Sequence, residues 1–598
     1  MKKFYQSTAE LWFRSMRILK SYGLIYFIRR LRKYLKRQGW RNIVAVGDLN
    51  VQYQKWLGKR LVENQSLVQN FGDVIKISII MPVCNPDIKY LNEAVNSILS
   101  QNSPNWELCL VDDASTEPQV LEYLKKLAEQ DKRISLICHD TTRGISDAIN
   151  SALTIAQSEY VLLIDQDGIL RPHAISSFQR FLNVDNTLDL IYADEDKLDD
   201  YSGTRIGPNF KPEWSPHLLH SYNYVGHPLV VRSKLVKQLG GLRKHFDGSQ
   251  EHDLLLRLSD FLLKVKRIPD VLYSCRVIKD FSAGGQDETA RAIEAGCLAI
   301  DESIQRKGYT TKVSFCSDTG IYNFRIGIKE QPKISIIIPT KNNEVILKRC
   351  LDSIQHKSSY NNYEILVIDN GSTDEPTIEY LGSLKDYKNV KILSYPWEFN
   401  YPLINNFGAA NASGQHLVFL NDDTEIITHG WLEALLEYSQ MPDVGAVGAL
   451  LQFPNGMIQH AGIVIGMRGS ASHAFYKSDP EAPSYLNLVR CIRNVSAVTA
   501  ACLMIKAESF AKTEGFNPDF RLGLNDVDLC LRLLKMGLNN IYTPHAKLVH
   551  YESFTRGEYV VEKEIELFKS LYHEYISKGD PYYHPHLSLE RNDFSLAV

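Results

Sequence analysis

The chain has 598 residues, 44% hydrophobic and 23% charged, with a formal net charge of −3. That length exceeds one hydrophobic core and implies two or three domains, while the composition excludes disordered and collagen-like classes. The near-neutral balance excludes a globally basic nucleic-acid binder.

The charge is unevenly placed. Through Arg41 the sequence carries twelve Lys/Arg against Glu10 alone, a formal +11 that leaves −14 on the remainder. Apolar residues from Leu11 to Leu35 interleave with these cations at helical spacing. Residues 1–41 are therefore expected to form an amphipathic helix that lies on an anionic membrane surface, the alternative being a helix docked on the acidic body. Nucleic acid is not expected as a partner. The apolar stretch Leu24–Ile28 is too short for a secretory signal. The longest uncharged run, Val444–Met467, contains Pro454-Asn455-Gly456 and reads as strand-turn-strand rather than a membrane span. The ten cysteines are scattered without a Cys-x-x-Cys pair, which excludes zinc and thioredoxin-like motifs and suits buried free thiols in a reducing compartment. The expected location is cytoplasmic, on or near the inner face of the cytoplasmic membrane.

Beyond a boundary near residue 70 the elements follow in order. A buried strand, Ile77–Met81, ends at Pro82, and a helical pattern covers Tyr90–Leu99. A second strand, Glu107–Val111, runs into Asp112-Asp113-Ala114-Ser115-Thr116. After another helix, a third strand, Tyr160–Ile164, ends in Asp165-Gln166-Asp167. Late in this unit Gly248–Arg257 opens a helix with Glu251 in its first turn. After Lys329-Glu330-Gln331-Pro332 the series restarts: Ile334–Ile338 ends at Pro339, Val345–Ile354 is helical, and Glu364–Ile368 runs into Asp369-Asn370-Gly371-Ser372-Thr373. His416–Leu420 then ends in Asn421-Asp422-Asp423, and a helix opens around Asp526. The matching positions are offset by 257, 257 and 256 residues, a period that means tandem domains. Strands apolar on both faces, alternating with helices, predict α/β units built on a mostly parallel sheet covered by helices. The units are placed at 75–328 and 332–560, between the arm at 1–70 and a C-terminal helix with extended tail at 561–598.

In such sheets ligands sit beyond the carboxyl ends of the strands, where both acidic clusters fall. Paired carboxylates there suit Mg²⁺ or Mn²⁺ shared with substrate phosphates, although a solvated acidic turn has the same composition. Asp112/Asp113 and Asp369/Asn370 are placed to meet a nucleotide. No Gly-x-Gly-x-x-Gly follows either first strand and no P-loop occurs, which removes the dinucleotide and P-loop alternatives. Glu251 and Asp526 are either helix caps or general bases.

These residues, with Asp194-Glu195-Asp196-Lys197, Phe210–Pro216, Tyr222–His227, Gln459-His460-Ala461-Gly462 and Arg493–Cys502, resemble tandem family 2 glycosyltransferases of the GT-A fold, and among them bacterial cell-surface polysaccharide and rhamnan assembly enzymes. The resemblance implies an inverting transfer from a UDP- or dTDP-sugar to a growing polysaccharide or lipid-linked glycan. By position it implies that Asp113, Asp369 and Asn370, with Asp112, Pro82 and Pro339 beside them, meet the nucleotide. It makes Asp165, Asp167, Asp422, Asp423 and His550 metal ligands, and Glu251 and Asp526 bases. The first unit departs from the pattern: Tyr273-Ser274-Cys275-Arg276 stands where the family carries a late His. Two active sites are expected, the alternative being a catalytic second unit beside a binding scaffold.

Overall fold

The computed structural model describes residues 50–60, 75–277, 285–384, 387–551 and 562–597. The basic arm, 1–41, and the stretch after Tyr551 that includes Glu552–Gly557 lie outside these residues.

The first unit carries β1 (Ile77–Val83), β2 (Trp106–Asp112), β3 (Ile134–Cys138), β4 (Tyr160–Leu163), β5 (Ile169–Leu170), β6 (Leu190–Asp199), β7 (Thr204–Asn209), β8 (Leu229–Arg232) and β9 (Val265–Val277). Their order is β3-β2-β1-β4-β8-β6-β9-β5, with β7 on β6. The run from β3 to β4 is parallel, β8 is antiparallel to both neighbours, and β9 lies parallel to β6. A hairpin of β10 (Thr311–Cys316) and β11 (Ile321–Ile326) closes the unit.

The second unit repeats this plan. Its strands are β12 (Ile334–Thr340), β13 (Tyr363–Asp369), β14 (Val390–Ser394), β15 (His416–Leu420), β16 (Thr424–Ile426), β17 (Val444–Gln452), β18 (Ile458–His460), β19 (Ile463–Ile465), β20 (Ala471–His473), β21 (Arg493–Val495), β22 (Cys502–Lys506) and β23 (Asn539–His550). The order β14-β13-β12-β15-β22-β17-β23-β16 matches the first sheet strand for strand. The expected α/β architecture, with one sheet in each of two tandem units, is what the chain adopts. The run Val444–Met467 folds back on itself as β17 and β18, antiparallel across Pro454–Gly456.

The central strands β1 and β12 are buried along nearly all their length because helices cover both faces. Each carries one serine inside, and a repeated carboxylate explains it. Ser78 and Ser335 donate to Glu107 and Glu364. Lys76 and Lys333 also reach these carboxylates, at 2.7 and 3.0 Å, as do the backbone N–H groups of Gln157 and Ser413. Burial opposes ionisation of Glu364, but the donors from Ser335, Ser413 and Lys333 outweigh it and pull its carboxyl down to about 2. These knots tie the amino ends of the strands and leave the carboxyl ends open.

The two units share a hydrogen-bonded seam. Ser215 Oγ and His217 N–H both donate to Asn494 Oδ1, at 3.0 and 3.1 Å, and Phe210 N–H donates to Tyr485 Oη at 2.9 Å. The tail laces the seam: Asp580 accepts from Ile465 N–H at 2.8 Å in the second unit, Pro581 O accepts from Glu213 N–H at 2.8 Å, and His584 reaches Asp194 at 2.7 Å in the first. Residues 50–60, expected as part of the arm, are helical and insert Tyr53 and Trp56 into the first unit's core, with Tyr53 Oη on Asp196 at 2.6 Å. All ten cysteines are free; five are buried as expected, while Cys84 and Cys138 are exposed. No helix among the described residues is long and apolar enough to cross a membrane.

Candidate active site

In the second unit β15 delivers Asn421, Asp422 and Asp423 past its carboxyl end. Strand β23 returns antiparallel to β16 with His550 opposite Thr424, which sets the imidazole beside the triplet. His550 Nε2 lies 3.0 Å from Asp423 Oδ1. Its other nitrogen, Nδ1, donates to Gln459 Oε1 at 2.7 Å, and both residues are buried. Thr340 Oγ1 donates to Asp422 Oδ2 at 2.7 Å.

Asp526 stands in the first turn of the helix Asn525–Lys535, with Oδ2 accepting from Ala500 N–H at 3.0 Å and Oδ1 from Val527 N–H at 2.9 Å. The loop before it is held from the C-terminal helix Glu562–Leu571, where buried Glu564 accepts from Leu522 and Gly523 N–H at 3.0 and 2.8 Å. Asp526 and Asn421 line one cavity of about 320 Å³, together with Tyr401, Ser472, His473 and Ala500. The structure thus brings the strand-end triplet, the late histidine and the helix-opening carboxylate to one place.

The donor set suits a divalent cation. Asp423 offers a hard oxygen and His550 a borderline nitrogen close enough to share one ion, and Gln459 holds the imidazole in the tautomer that leaves Nε2 as the lone pair. Among the described residues no three His, Cys, Asp or Glu side chains close into a cage. An ion there would need its remaining ligands from phosphate and water, as Mg²⁺ accepts.

The first unit is built differently. Asp165 and Asp167 follow β4, and Tyr273 Oη donates to Asp165 Oδ2 at 3.2 Å. Strand β9 presents Ser274 and Cys275 instead of a histidine: Ser274 Oγ donates to Asp196, and Cys275 Sγ lies 3.7 Å from Glu195. Glu251 opens the helix Gln250–Leu258. Burial raises its carboxyl above the ordinary range; His227 opposes the rise and Asp165 adds to it. Asp167 is raised by burial and by Asp165. His227 Nδ1 lies 3.7 Å from Asp165 Oδ2. Burial disfavours its cation, yet Asp165, Glu251 and Glu195 together lift it above the usual imidazole value. Asp165, Tyr273, His227 and Glu251 therefore converge.

At the nucleotide end Pro82 and Pro339 pair with Val111 and Ile368 in register. The two units differ in which acceptor is unspent. Asp113 is saturated by His139 at 2.7 Å and by the N–H groups of Arg143 and Gly144, which overcome burial and hold its carboxyl low. The buried acceptor left without a protein partner is Asp112 Oδ1. In the second unit Asp369 is bonded to Ser372. Asn370 Nδ2 donates to the carbonyls of Tyr395 and Trp397, and its buried Oδ1 has no partner. Asp112 Oδ1 and Asn370 Oδ1 are thus buried acceptors without a protein partner beside the ends of β2 and β13.

Sequence reasoning gave no role to His227, Gln459, His473 or Glu564. His227 and Gln459 lie inside quoted motifs, but their chemistry depends on Asp165 and His550, 62 and 91 residues away. Glu564 comes from the C-terminal helix.

A family model described as glycosyl transferase family 2 matches residues 78–240 and 335–510. An uncharacterized protein of Sinorhizobium fredii is 36% identical over 577 residues, covering 94% of this chain and 63% of that protein. The O-antigen biosynthesis protein RfbC of Myxococcus xanthus is 38% identical over 541 residues, covering 90% of this chain and 42% of that protein. An N-acetylglucosaminyl-diphospho-decaprenol L-rhamnosyltransferase of Mycobacterium tuberculosis is 27% identical over 214 residues, 32% of this chain and 68% of the enzyme. The chain therefore spans 63% and 42% of the two relatives that cover most of it. A crystal structure of S. aureus TarS 1-349 with UDP-GlcNAc aligns over 38% of this chain and 66% of that one, with TM-score 0.32 and 19% identity, too remote to inform the site. The two matched segments fall on the two repeated sheets and include both strand-end acidic clusters, and on that ground the chain belongs to glycosyl transferase family 2, with one copy in each half.

Proposed function

We propose that the chain is an inverting, divalent-metal-dependent hexosyl- or rhamnosyltransferase. It moves sugars from UDP- or dTDP-linked donors to a growing cell-surface polysaccharide or lipid-linked glycan, with an active site in each unit. The observation that carries this reading is the second unit's cavity, which Asp526 and Asn421 line beside the Asp423–His550 pair. The relative named for O-antigen biosynthesis and the rhamnosyltransferase relative support the acceptor and sugar class.

Asp422, Asp423 and His550, and Asp165 and Asp167 in the first unit, would hold Mg²⁺ or Mn²⁺, which when bound would supply counter-charge for the donor diphosphate. The protein's own part is proton transfer and placement. An acceptor hydroxyl oxygen bonds to the anomeric carbon as the bond from that carbon to the diphosphate oxygen breaks, and the hydroxyl proton passes to Asp526, or to Glu251 in the first unit. One displacement inverts the centre. The Ala500 and Val527 N–H groups fix the Asp526 carboxylate, so no side-chain reorganisation is needed at the moment of transfer. The unspent acceptors Asp112 Oδ1 and Asn370 Oδ1 suit a nucleobase N–H. The +11 arm supports peripheral attachment to the inner membrane surface, where a lipid-linked acceptor would reside.

The test is a panel of UDP-, dTDP- and GDP-sugars with Mg²⁺ or Mn²⁺ and a membrane-glycan acceptor, run on the parent, Glu251→Gln and Asp526→Asn. Each substitution is expected to lower transfer of a different sugar about 10²–10⁴-fold while donor binding persists. No transfer from any donor sinks the reading. If Asp526→Asn alone matters, the first unit is a scaffold, a second reading favoured by Ser274 and Cys275 in place of the late histidine.

A further inference from the structure

The two units look unequal because only one has a histidine on its last strand. The strand registers show that the first unit has one in another place. Leu163 pairs with Leu229 across β4 and β8, and Phe419 pairs with Leu503 across β15 and β22. Counting outward along these antiparallel pairs, His227 is the counterpart of Ala501. The second unit thus has alanine where the first has histidine, and histidine at the end of β23 where the first has Ser274 and Cys275.

The setting of His227 is constructed. Its backbone is gripped on both sides: its N–H donates to Glu195 Oε2 at 3.1 Å, and its carbonyl accepts from the fully buried Lys211 Nζ at 2.7 Å. Gly226 before it has φ +47°, and a Cβ there would sit 2.7 Å from Glu195 Oε1. That grip turns the ring toward Asp165. The buried imidazoles of His139, His252, His550 and His584 hydrogen-bond to protein groups, whereas buried His217 bonds through neither ring nitrogen and lies away from the strand-end carboxylates, 3.9 Å from Asp443. The His227 ring has the 3.7 Å approach to Asp165 and makes no hydrogen bond among the described residues. The side chains of β9 offer no substitute, since Ser274 Oγ is committed to Asp196 and Cys275 Sγ to Glu195.

We infer that His227 supplies the first unit's imidazole ligand to the divalent cation, doing from the strand beside β4 what His550 does from β23. This rests on the transferase reading above. Two ligands at ~2.1 Å from one ion lie roughly 3 Å apart when adjacent and roughly 4 Å apart when opposite. The 3.7 Å between Nδ1 and Oδ2 falls inside that range. The first site is then a rearranged centre rather than a depleted one, and its nitrogen ligand gives it a reason to prefer Mn²⁺ over Mg²⁺.

The test reads the metal directly. In the full chain with Asp423→Asn and His550→Ala, Mn²⁺ is added with UDP, and pulsed electron paramagnetic resonance is used to look for nitrogen coupling. The expected result is an imidazole nitrogen signal that disappears on adding His227→Gln, with circular dichroism and melting unchanged. A signal that survives His227→Gln, bound Mn²⁺ without nitrogen coupling, or no Mn²⁺ binding in the silenced parent each overturns the assignment. His227→Gln alone, with the second unit intact, keeps the His550 nitrogen signal, which shows that the variant folds. Failure of the transferase reading looks different: neither UDP nor Mn²⁺ binds to the otherwise unaltered chain.

Discussion

Replacing Gln459 by leucine isolates one hydrogen bond. A neutral imidazole donates from one nitrogen and accepts at the other. Gln459 Oε1, 2.7 Å from His550 Nδ1, keeps the proton there and leaves the Nε2 lone pair facing Asp423. Gln459 is 3% exposed and His550 8%, so water is poorly placed to stand in. In Gln459→Leu the ring has two poor choices. It can bury an unpartnered N–H, at about 1–3 kcal/mol, or it can move the proton to Nε2 and point it at Asp423, closing the lone pair to a cation. Loss of such supporting partners typically weakens metal affinity about 10–100-fold, or roughly 1.4–2.7 kcal/mol. The assay is a Mn²⁺ titration in the presence of UDP, by calorimetry or by the free-ion resonance signal, with the first unit silenced by Asp165→Asn and Asp167→Asn. Gln459→Glu keeps an acceptor at the same reach and is expected to hold affinity at or above the parent. An affinity for Gln459→Leu within about twofold of the parent refutes the reasoning, because the tautomer would then not be set by this contact.

Asp580 is buried and pushed up to about 6, chiefly by burial. A raised carboxyl gives stability that is present below the unfolded value near ~3.9 and lost as pH rises through about 6. Asp580→Asn should therefore gain on the parent between pH 4 and 7, by up to about 3 kcal/mol in denaturant melts, and a flat difference contradicts the assignment. His584→Ala removes the donor to the buried Asp194 carboxylate and is expected to destabilise by about 1.5–3 kcal/mol; an unchanged melting midpoint would show that the contact is idle. A Cβ on Gly168 would fall 1.6 Å from Tyr273 Oη, so Gly168→Ala must displace the phenol from Asp165. Transfer by the first unit should drop at least about tenfold with the second unit's unaltered, and equal loss in both would point to general misfolding.

Strands β1, β2 and β4, and β12, β13 and β15, were legible because strands buried on both faces read as unbroken apolar runs ending in polar residues; β3 and β14, half-buried at the sheet edge, were not. Nor was the other half of each sheet. Strands β6, β8 and β9 interleave out of chain order, and only pairing across long separations shows that β8 runs against its neighbours. The carboxylates followed from their strand ends, and the structure sets the Asp423–His550 pair beside Asn421, which lines one cavity with Asp526. His227 escaped because a single histidine between Gly226 and Pro228 carries no periodic signal; its meaning depends on Asp165 lying across the sheet. Asp113 shows the converse. Its type and position suit a nucleobase contact, yet His139 already fills one oxygen, and no local pattern announces that. The segments 194–197 and 210–216, legible only as family marks, prove to be joinery, holding the 50–60 helix, the tail and the other unit.

The lacing of the tail has a practical corollary. The connection at Glu330 and Gln331 is exposed, the kind of place where a protease cuts. A cut there would not yield two small proteins. His584 would still be lodged on Asp194, Asn494 would still hold Ser215, and the fragments would migrate as one particle until denatured. The first half expressed alone would expose the face of Phe210 that His584 and His586 of the tail now cover. The duplicated plan suggests two separable modules, but the seam makes them a single unit of folding and of supply.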